Sequence, residues 1–465
     1  MDQITNIPRL DALFPVEDPQ LIPSKRYYDE AFFRAEAEHL WPHVWQMACR
    51  LEEIPEIGDY VEYTILNQSV IVVRTKFGVK AFHNACRHRG VRLVGGQGNC
   101  KSTGFICPFH GWRWNMDGEN TFVFSRQIFD ESVLAQAEIN LVPCRVELWG
   151  GCAFINFDDE APALLDCVAP VAKAMDVRNV ENMRVEWWSS TVLPTNWKLA
   201  MEAFMEGYHV MRTHPQLHEV TIPGGHEPYA EQHESSPAPK RSMTGREAVD
   251  ITVEHFHRLC DGMSGMIHAN DVTVAADVAG AMELPEEPRA AMEAWIVRVN
   301  QEITSRARAQ GIAMPDLLDI MMTNPAAPVQ YVFPHYFMLP MFGNMSSYRI
   351  RPLTPETCLF ELWSMTLYPD NVTGERPVPP VPVAHDSPDF PAIPQQDYSN
   401  LPLQQLGLHA KGFGHMRLSA KVEGLISNYQ RLIDGYLRGE EPEKLLTAMQ
   451  LVNGPYDSPI HDLGI

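Results

Sequence analysis

Four residues in two short loops carry the chemistry of the chain's first quarter: Cys86 and His88, then Cys107 and His110, with 18 residues between His88 and Cys107. Thiolates hold iron–sulfur clusters, and replacing two of four Cys by His on one iron gives a higher-potential [2Fe–2S] centre. In each loop the Cys suits the inner iron and the His reaches the outer one. Gly90 and Gly111 follow the two His and permit tight turns; Pro108 stiffens the second loop. Zinc is the competing metal for such a donor set. Its loops usually pair like ligands as C-x2–4-C or H-x3–5-H, and a C-x-H plus C-x2-H combination fits that pattern poorly.

A second constellation follows at Glu206, His209 and His214. Glu206 and His209 are three apart and would share one face of a helix. His214 lies five beyond His209, about 140° round a continuous helix. The helix must therefore end between the two histidines. Pro215 helps, because the residue before proline is pushed out of the helical region. Two His with a carboxylate form the facial triad of non-haem Fe(II), which leaves positions open for O2 and substrate. Two surface histidines at a helix end are the plainer reading of His-x4-His alone.

The elements that must position these groups divide the chain in three. Residues 1–45 read as an extended arm with four prolines, then a helix from Tyr28 to Trp41 ended by Pro42. Residues 46–160 change to short strands: 61–65, 70–74 turned at Phe77-Gly78, 79–84 into the first loop, and 149–157. Such a run predicts an antiparallel sandwich or barrel. Residues 161–465 open with helix 163–175 and strand 186–193. Asn196 then caps a helix reaching about His209. The stretch 216–328 is least recognisable, with loop 222–245 and helices 247–260, 285–310 and 314–322 expected to cover a pocket. His226, His233, His255 and His257 lack an evident metal partner set and read as surface histidines. Strand-like 329–342, 345–351 and 358–367 follow, with a minority of side chains expected to line an apolar pocket. A linker at 370–394 holds seven prolines, and helices 401–413 and 420–438 close the chain.

Cys-Arg-His-Arg-Gly at 86–90, with Cys-Pro-Phe-His-Gly-Trp at 107–112, resembles the Rieske domain of the large (alpha) subunit of Rieske non-haem iron ring-hydroxylating oxygenases. Val91 and Phe109 stand where respiratory Rieske proteins commonly place bridging cysteines. The segment from Asn196-Trp197-Lys198 to His214-Pro215 resembles the same family's iron-binding stretch. The resemblance implies an α+β chain: an antiparallel β Rieske domain plus a helix-grip catalytic domain, a curved antiparallel sheet around a long helix. It implies a Rieske [2Fe–2S] cluster on Cys86, His88, Cys107 and His110, and mononuclear Fe(II) on His209, His214 and a late acidic ligand. Gln395-Gln396-Asp397 looks like that ligand's place, so Asp397 is expected, with Asp389 second and a helix-capping carboxylate the bland alternative. Glu206 resembles the carboxylate that links a Rieske His to an iron His. Ala203 departs from the Asn many relatives carry. His335 falls where relatives often have Asn; substrate orientation and a structural role are equally open.

The resemblance further implies a ring-shaped homotrimer, with or without a small beta subunit, and an oxygenase that uses O2. Without a Gly-x-Gly-x-x-Gly fingerprint or plant-type ferredoxin spacing, electrons must come from a separate reductase or ferredoxin. The expected substrate is an apolar ring compound, as in aromatic catabolism. A quaternary ammonium substrate and O/N-demethylation are the alternatives within the chemistry; an electron carrier with a vestigial second domain is the alternative outside it. Net charge is −22 with 45 % hydrophobic residues, which disfavours nucleic acid. No apolar run spans a membrane and no signal-peptide pattern opens the chain. Nine scattered Cys argue for a reducing, cytoplasmic setting rather than a disulfide framework.

Overall fold

Alternation builds the first half. In Asp59–Ile65 every second side chain is buried, as in a strand with one face turned inward. In Gln68–Thr75 the four residues Val70, Ile71, Val72 and Val73 are all buried, so that strand is covered on both faces. The computed structural model describes residues 13–218, 243–263, 265–325, 327–372, 374–455 and 458–465. In it these strands join a seven-stranded sheet, ordered Gln46–Arg50, Cys152–Asn156, Pro143–Trp149, Gly78–His83, Gln68–Thr75, Asp59–Ile65, Gln97–Asn99. Its paired neighbours are antiparallel. The expected strand at 149–157 is the second arm of a hairpin. Gly150 and Gly151 both take positive φ, which a tight two-residue turn demands, and Trp149 pairs with Cys152. A three-stranded sheet of Phe105–Ile106, Arg113–Trp114 and Asn120–Phe122 carries the second cysteine loop. A separate small core of Phe82, Phe105, Trp112 and Trp114 encloses Cys86 and Cys107.

The second half is a six-stranded sheet, ordered Arg184–Leu193, Thr357–Thr366, Asn344–Thr354, Tyr336–Met341, Gln330–Val332, Gly454–Pro455, again with antiparallel neighbours. Helix Gly424–Arg438 is buried along almost its whole length, and Tyr429 donates its hydroxyl proton to the Pro334 carbonyl at 2.7 Å. Helix Trp197–Glu202 also packs against the sheet. Behind it Phe204 meets Phe337 at 4.6 Å between ring centres. The mixed α+β architecture matches the expectation.

Several boundaries differ. The first helix begins at Glu30, capped by Asp29, and passes through a π-turn at Glu36–Leu40 into a 3-10 turn, Trp41–His43, that contains Pro42. The cover holds an unexpected helix, Ala269–Ala281, beside Gly245–Met263 and Pro288–Ala309. The last of these starts at Pro288, because the Glu287 carboxylate takes the Arg289 and Ala290 amides. The helix expected at 401–413 runs from Ala392 to Leu408; Pro394 sits in its first turn, where it removes no intrahelical bond, and Pro402 lies inside it. A further helix, Pro442–Val452, follows Gly424–Arg438. The arm is tied down: Leu21–Pro23 pairs with His415–Arg417, and buried Arg26 meets Asp434 at 2.5 Å.

Edge strand Gln46–Arg50 joins the halves. The Met47 amide donates to His335 Nε2 at 3.1 Å, and Arg349 donates to the Met47 carbonyl at 3.2 Å. His335 is almost fully buried; burial, with Arg349 and Arg351 nearby, holds its pKa well below the usual imidazole value. It is a structural residue between the two sheets.

Candidate metal centres

The two cysteine loops fold alike. The Gly90 amide bonds to the Cys86 carbonyl and the Cys86 amide to the Val91 carbonyl, both at 2.8 Å; Gly111, Cys107 and Trp112 repeat the pattern at 3.0 and 2.9 Å. Each glycine closes its turn at positive φ, +74° and +68°. The cysteines are buried and the histidines half-buried, so the loops place sulfur inside and nitrogen at the tip. The His88 and His110 rings lie 4.7 Å apart, and His88 stacks on Trp112 at 5.0 Å. In both histidines Nδ1 is buried without a hydrogen-bond partner. A buried polar atom left so is costly unless something outside the protein satisfies it. Two inward thiols and two orphaned nitrogens fit a cluster with Cys on one iron and His on the other. Burial raises the Cys86 thiol pKa, against the pull of the His88 and Arg89 backbone amides, with Cys107 adding to the rise. Burial, then His110 and Arg89, lowers that of His88. All nine cysteines are free.

The second site differs locally from the expected helix. Asn196 caps as anticipated, accepting from the Lys198 amide at 2.9 Å, but the helix stops at Glu202. Glu206 therefore lies on a bend, where its carboxylate takes the His209 amide at 2.8 Å and faces His209 Nδ1 at 2.7 Å. Beyond the helix end the Phe204 and Met205 amides turn back to the Met201 and Glu202 carbonyls, and the Glu206 carboxylate takes the His209 amide ahead of the next turn. A one-turn helix, Val210–Thr213, separates the histidines; His214 leaves the helical region at φ −113°, ψ 69°, as the following proline requires.

Asp397, in the second turn of helix Ala392–Leu408 and not its cap, completes the group. Its Oδ1 lies 3.3 Å from His214 Nε2 and 3.7 Å from His209 Nε2. One donor atom from each of the three residues falls within 4.8 Å of the others, the spacing of ligands around one ion. Asp389 is exposed and bonds to Ser387 within its own loop. Burial lowers the His209 pKa, but the Glu206 hydrogen bond and charge, with Asp397 behind them, outweigh it and leave the pKa raised. His214 Nδ1 meets Gln396 Oε1 at 2.6 Å.

A cavity of about 420 Å³ opens beside this triad, lined by Phe204, Leu217, Leu259, Met263, Leu339 and Met341 among others. From 245–266, His255, Leu259, Met263 and Met266 are among its lining residues. From 329–342 only Val329, Leu339, Pro340 and Met341 reach it, while Tyr331, Phe333 and Tyr336 are buried in the core. Ala203 borders it where many relatives would offer an amide. Two residues escaped the sequence reading. His255, expected at the surface, lines the cavity; the signal was its place with Leu259 and Met263 at i, i+4 and i+8. Gln396 had only its adjacency to Asp397 to mark it. His257 is exposed as expected; His226 and His233 lie outside the described residues. On the other side, a second cavity borders Glu202, Glu206, His209, Asp397 and Glu423.

The family described as "Ring hydroxylating alpha subunit (catalytic domain)" matches residues 176–439, and "Rieske [2Fe-2S] domain" matches 44–123. The chain belongs to this oxygenase family. Its members are Rieske non-haem iron oxygenases, with a [2Fe–2S] cluster in the first domain and mononuclear iron in the second. Among curated relatives, the glycine betaine monooxygenase oxygenase subunit of Chromohalobacter salexigens is 34 % identical over 197 residues, 42 % of this chain and 43 % of the relative. The carnitine monooxygenase oxygenase subunit of Escherichia coli is 30 % identical over 42 % of this chain and 52 % of its own. The chloroplastic choline monooxygenase of Atriplex hortensis is 32 % identical over 44 % and 47 %. The matched stretch thus spans about half the length of these relatives. Among solved structures, a naphthalene 1,2-dioxygenase variant bound to phenanthrene superposes with TM-score 0.63 at 19 % identity, covering 95 % of this chain and 99 % of the other. The quaternary ammonium monooxygenase CntA with gamma-butyrobetaine gives 0.57 at 18 %, covering 90 % and 97 %. These likenesses concern the fold.

Proposed function

We propose that this chain is the terminal oxygenase component of a system that hydroxylates a quaternary ammonium compound. Cys86, His88, Cys107 and His110 hold the cluster; His209, His214 and Asp397 hold the mononuclear iron; Glu206 orients His209. The cluster supplies electrons singly, and the iron, with three protein ligands, has positions free for O2 beside the substrate. Residues 1–45, 46–160 and 161–465 serve as arm, electron-transfer domain and catalytic domain, with 216–328 over the pocket.

The substrate assignment rests on relatives at 30–34 % identity named for glycine betaine, carnitine and choline. The wall is compatible with it. A trimethylammonium group presents methyl surface to Leu259, Met263 and Met341, while the ring of Phe204 and the carboxylates of Glu206 and Asp397 favour a diffuse cation. The net charge of −22 also draws cations towards the chain. The earlier expectation, an apolar ring, keeps one specific support: most of that wall is aliphatic, and the aromatics that would make a cage sit in the core.

Electrons come from a separate reductase or ferredoxin, and the cluster works across a subunit boundary in a homotrimer, where Glu206 borders the second cavity. No helix among the described residues is long and apolar enough to cross a membrane; the protein works in the cytoplasm.

The test is anaerobic reduction followed by O2 with glycine betaine, carnitine, choline, naphthalene and indole, and mass spectrometry of the products. Oxygenated or dealkylated ammonium product is expected. Product from the ring compounds alone would overturn the substrate assignment. Iron near two rather than about three per chain would point to an electron carrier.

A further inference from the structure

His209 and His214 present the same nitrogen to Asp397 but are backed by unlike groups. His209 Nδ1 meets the Glu206 carboxylate. His214 Nδ1 meets the neutral amide of Gln396 at 2.6 Å. Gln396 is itself locked. Gln216 Nε2 donates to Gln396 Oε1 at 2.9 Å, and Gln396 Nε2 donates back to Gln216 Oε1 at 3.1 Å. Arg258, on the helix covering the pocket, donates to the Gln216 carbonyl at 3.2 Å. Gln396 also precedes Asp397 on one helix, so a ligand and a brace come from one rigid element.

We propose that Gln396, cross-braced by Gln216, is the positioning residue of His214 and makes the two histidines unequal donors. The proposal rests on the iron reading of His209, His214 and Asp397. For Nε2 to offer its lone pair, Nδ1 must carry the proton, and that N–H needs an acceptor behind it. The amide oxygen supplies the acceptor without a charge. Glu206 and Asp397 already bring two carboxylates to the site, so Gln396 backs His214 without adding a third charge there. His209, backed by an anion, becomes the stronger donor, and His214 the weaker.

The test compares full-length Gln396→Leu, Gln396→Glu and Gln216→Leu, with His209→Ala as control. Fe(II) affinity is measured anaerobically by chelator competition. The EPR signal of the nitric oxide adduct reports ligand symmetry, and the cluster spectrum is the internal standard. Gln396→Leu should weaken mononuclear iron binding by ~10–100-fold, the usual range for a lost partner of a metal-bound histidine. Gln216→Leu should lose less, and Gln396→Glu should regain affinity with a shifted EPR signal. Wild-type affinity and EPR in both Leu variants would overturn the proposal, as would a loss that Gln396→Glu does not recover. Should Gln396→Leu fail to fold, Gln216→Leu decides, since Gln216 is only part-buried. Full iron content in His209→Ala would instead refute the iron reading itself.

Discussion

Replacing Glu206 by Gln keeps shape and an acceptor oxygen while removing the charge. In the native chain that carboxylate serves the His209 amide at 2.8 Å and His209 Nδ1 at 2.7 Å. The side chains of His209 and Glu206 are 25 % and 10 % exposed, so solvent screens the pair little. A hydrogen bond to a charged group contributes ~1.5–3 kcal/mol and a neutral one ~0.5–1.5. The Nδ1 contact therefore loses about 1–1.5 kcal/mol in Glu206→Gln, close to tenfold in iron affinity. Glu206→Ala loses the whole contact, about 1.5–3 kcal/mol, or up to ~150-fold. Anaerobic chelator competition measures the affinity. Stopped-flow recovery of the oxidised cluster colour, against product formed, measures coupling in samples loaded with excess Fe(II). With iron restored, Glu206→Gln should still couple cluster oxidation to product; Glu206→Ala should lose the coupling. Normal turnover in Glu206→Ala would refute the bridge. Identical iron affinity in Gln and Ala variants would refute the electrostatic account.

Asp397→Ala should lose mononuclear iron and keep the cluster spectrum, whereas Asp389→Ala should keep both, as metal analysis with visible absorption will show. Glu202, buried against Tyr27 and Gln430, has its pKa pushed up to about 7, chiefly by burial. The folded chain therefore holds a proton that the unfolded chain releases near pH 4.5. This contribution to stability is full below about pH 4.5, is lost as pH rises towards about 7, and stays lost above. Urea midpoints across that window should show a smaller fall in Glu202→Gln, which has nothing to titrate there.

Residues whose neighbours in sequence are also their neighbours in space were readable in advance. Cys86 with His88, and Cys107 with His110, sit in single loops closed by glycine. Asn196 acts on an amide two residues away, and Pro215 on the conformation of His214. Asp397 was placed by resemblance, since 183 positions separate it from His214 and no local pattern joins them. The break after Glu202 was missed because apolar spacing continues through Phe204 and Met205, whose amides nonetheless turn back to Met201 and Glu202, an event that periodicity does not register. Helix Ala269–Ala281 was missed because its alanines and valines mark no clear apolar stripe. The stretch 329–342 is apolar at both parities, with aromatics at 331, 333, 336, 337 and 342, so sequence alone cannot say which side chains face the cavity. The sheet assigns most of them inward and gives the cavity to Leu339 and Met341.

The clasp between Leu21–Pro23 and His415–Arg417 has a practical reach. Met416, Arg417 and Leu418 also form one bank of the hollow beside Glu206 and Asp397. A protease nick or a bulky affinity tag that peels Leu21–Pro23 off its partner strand would unseat that bank from a distance. Preparations in which that pairing is lost should therefore show altered behaviour at the triad even though every ligand is intact.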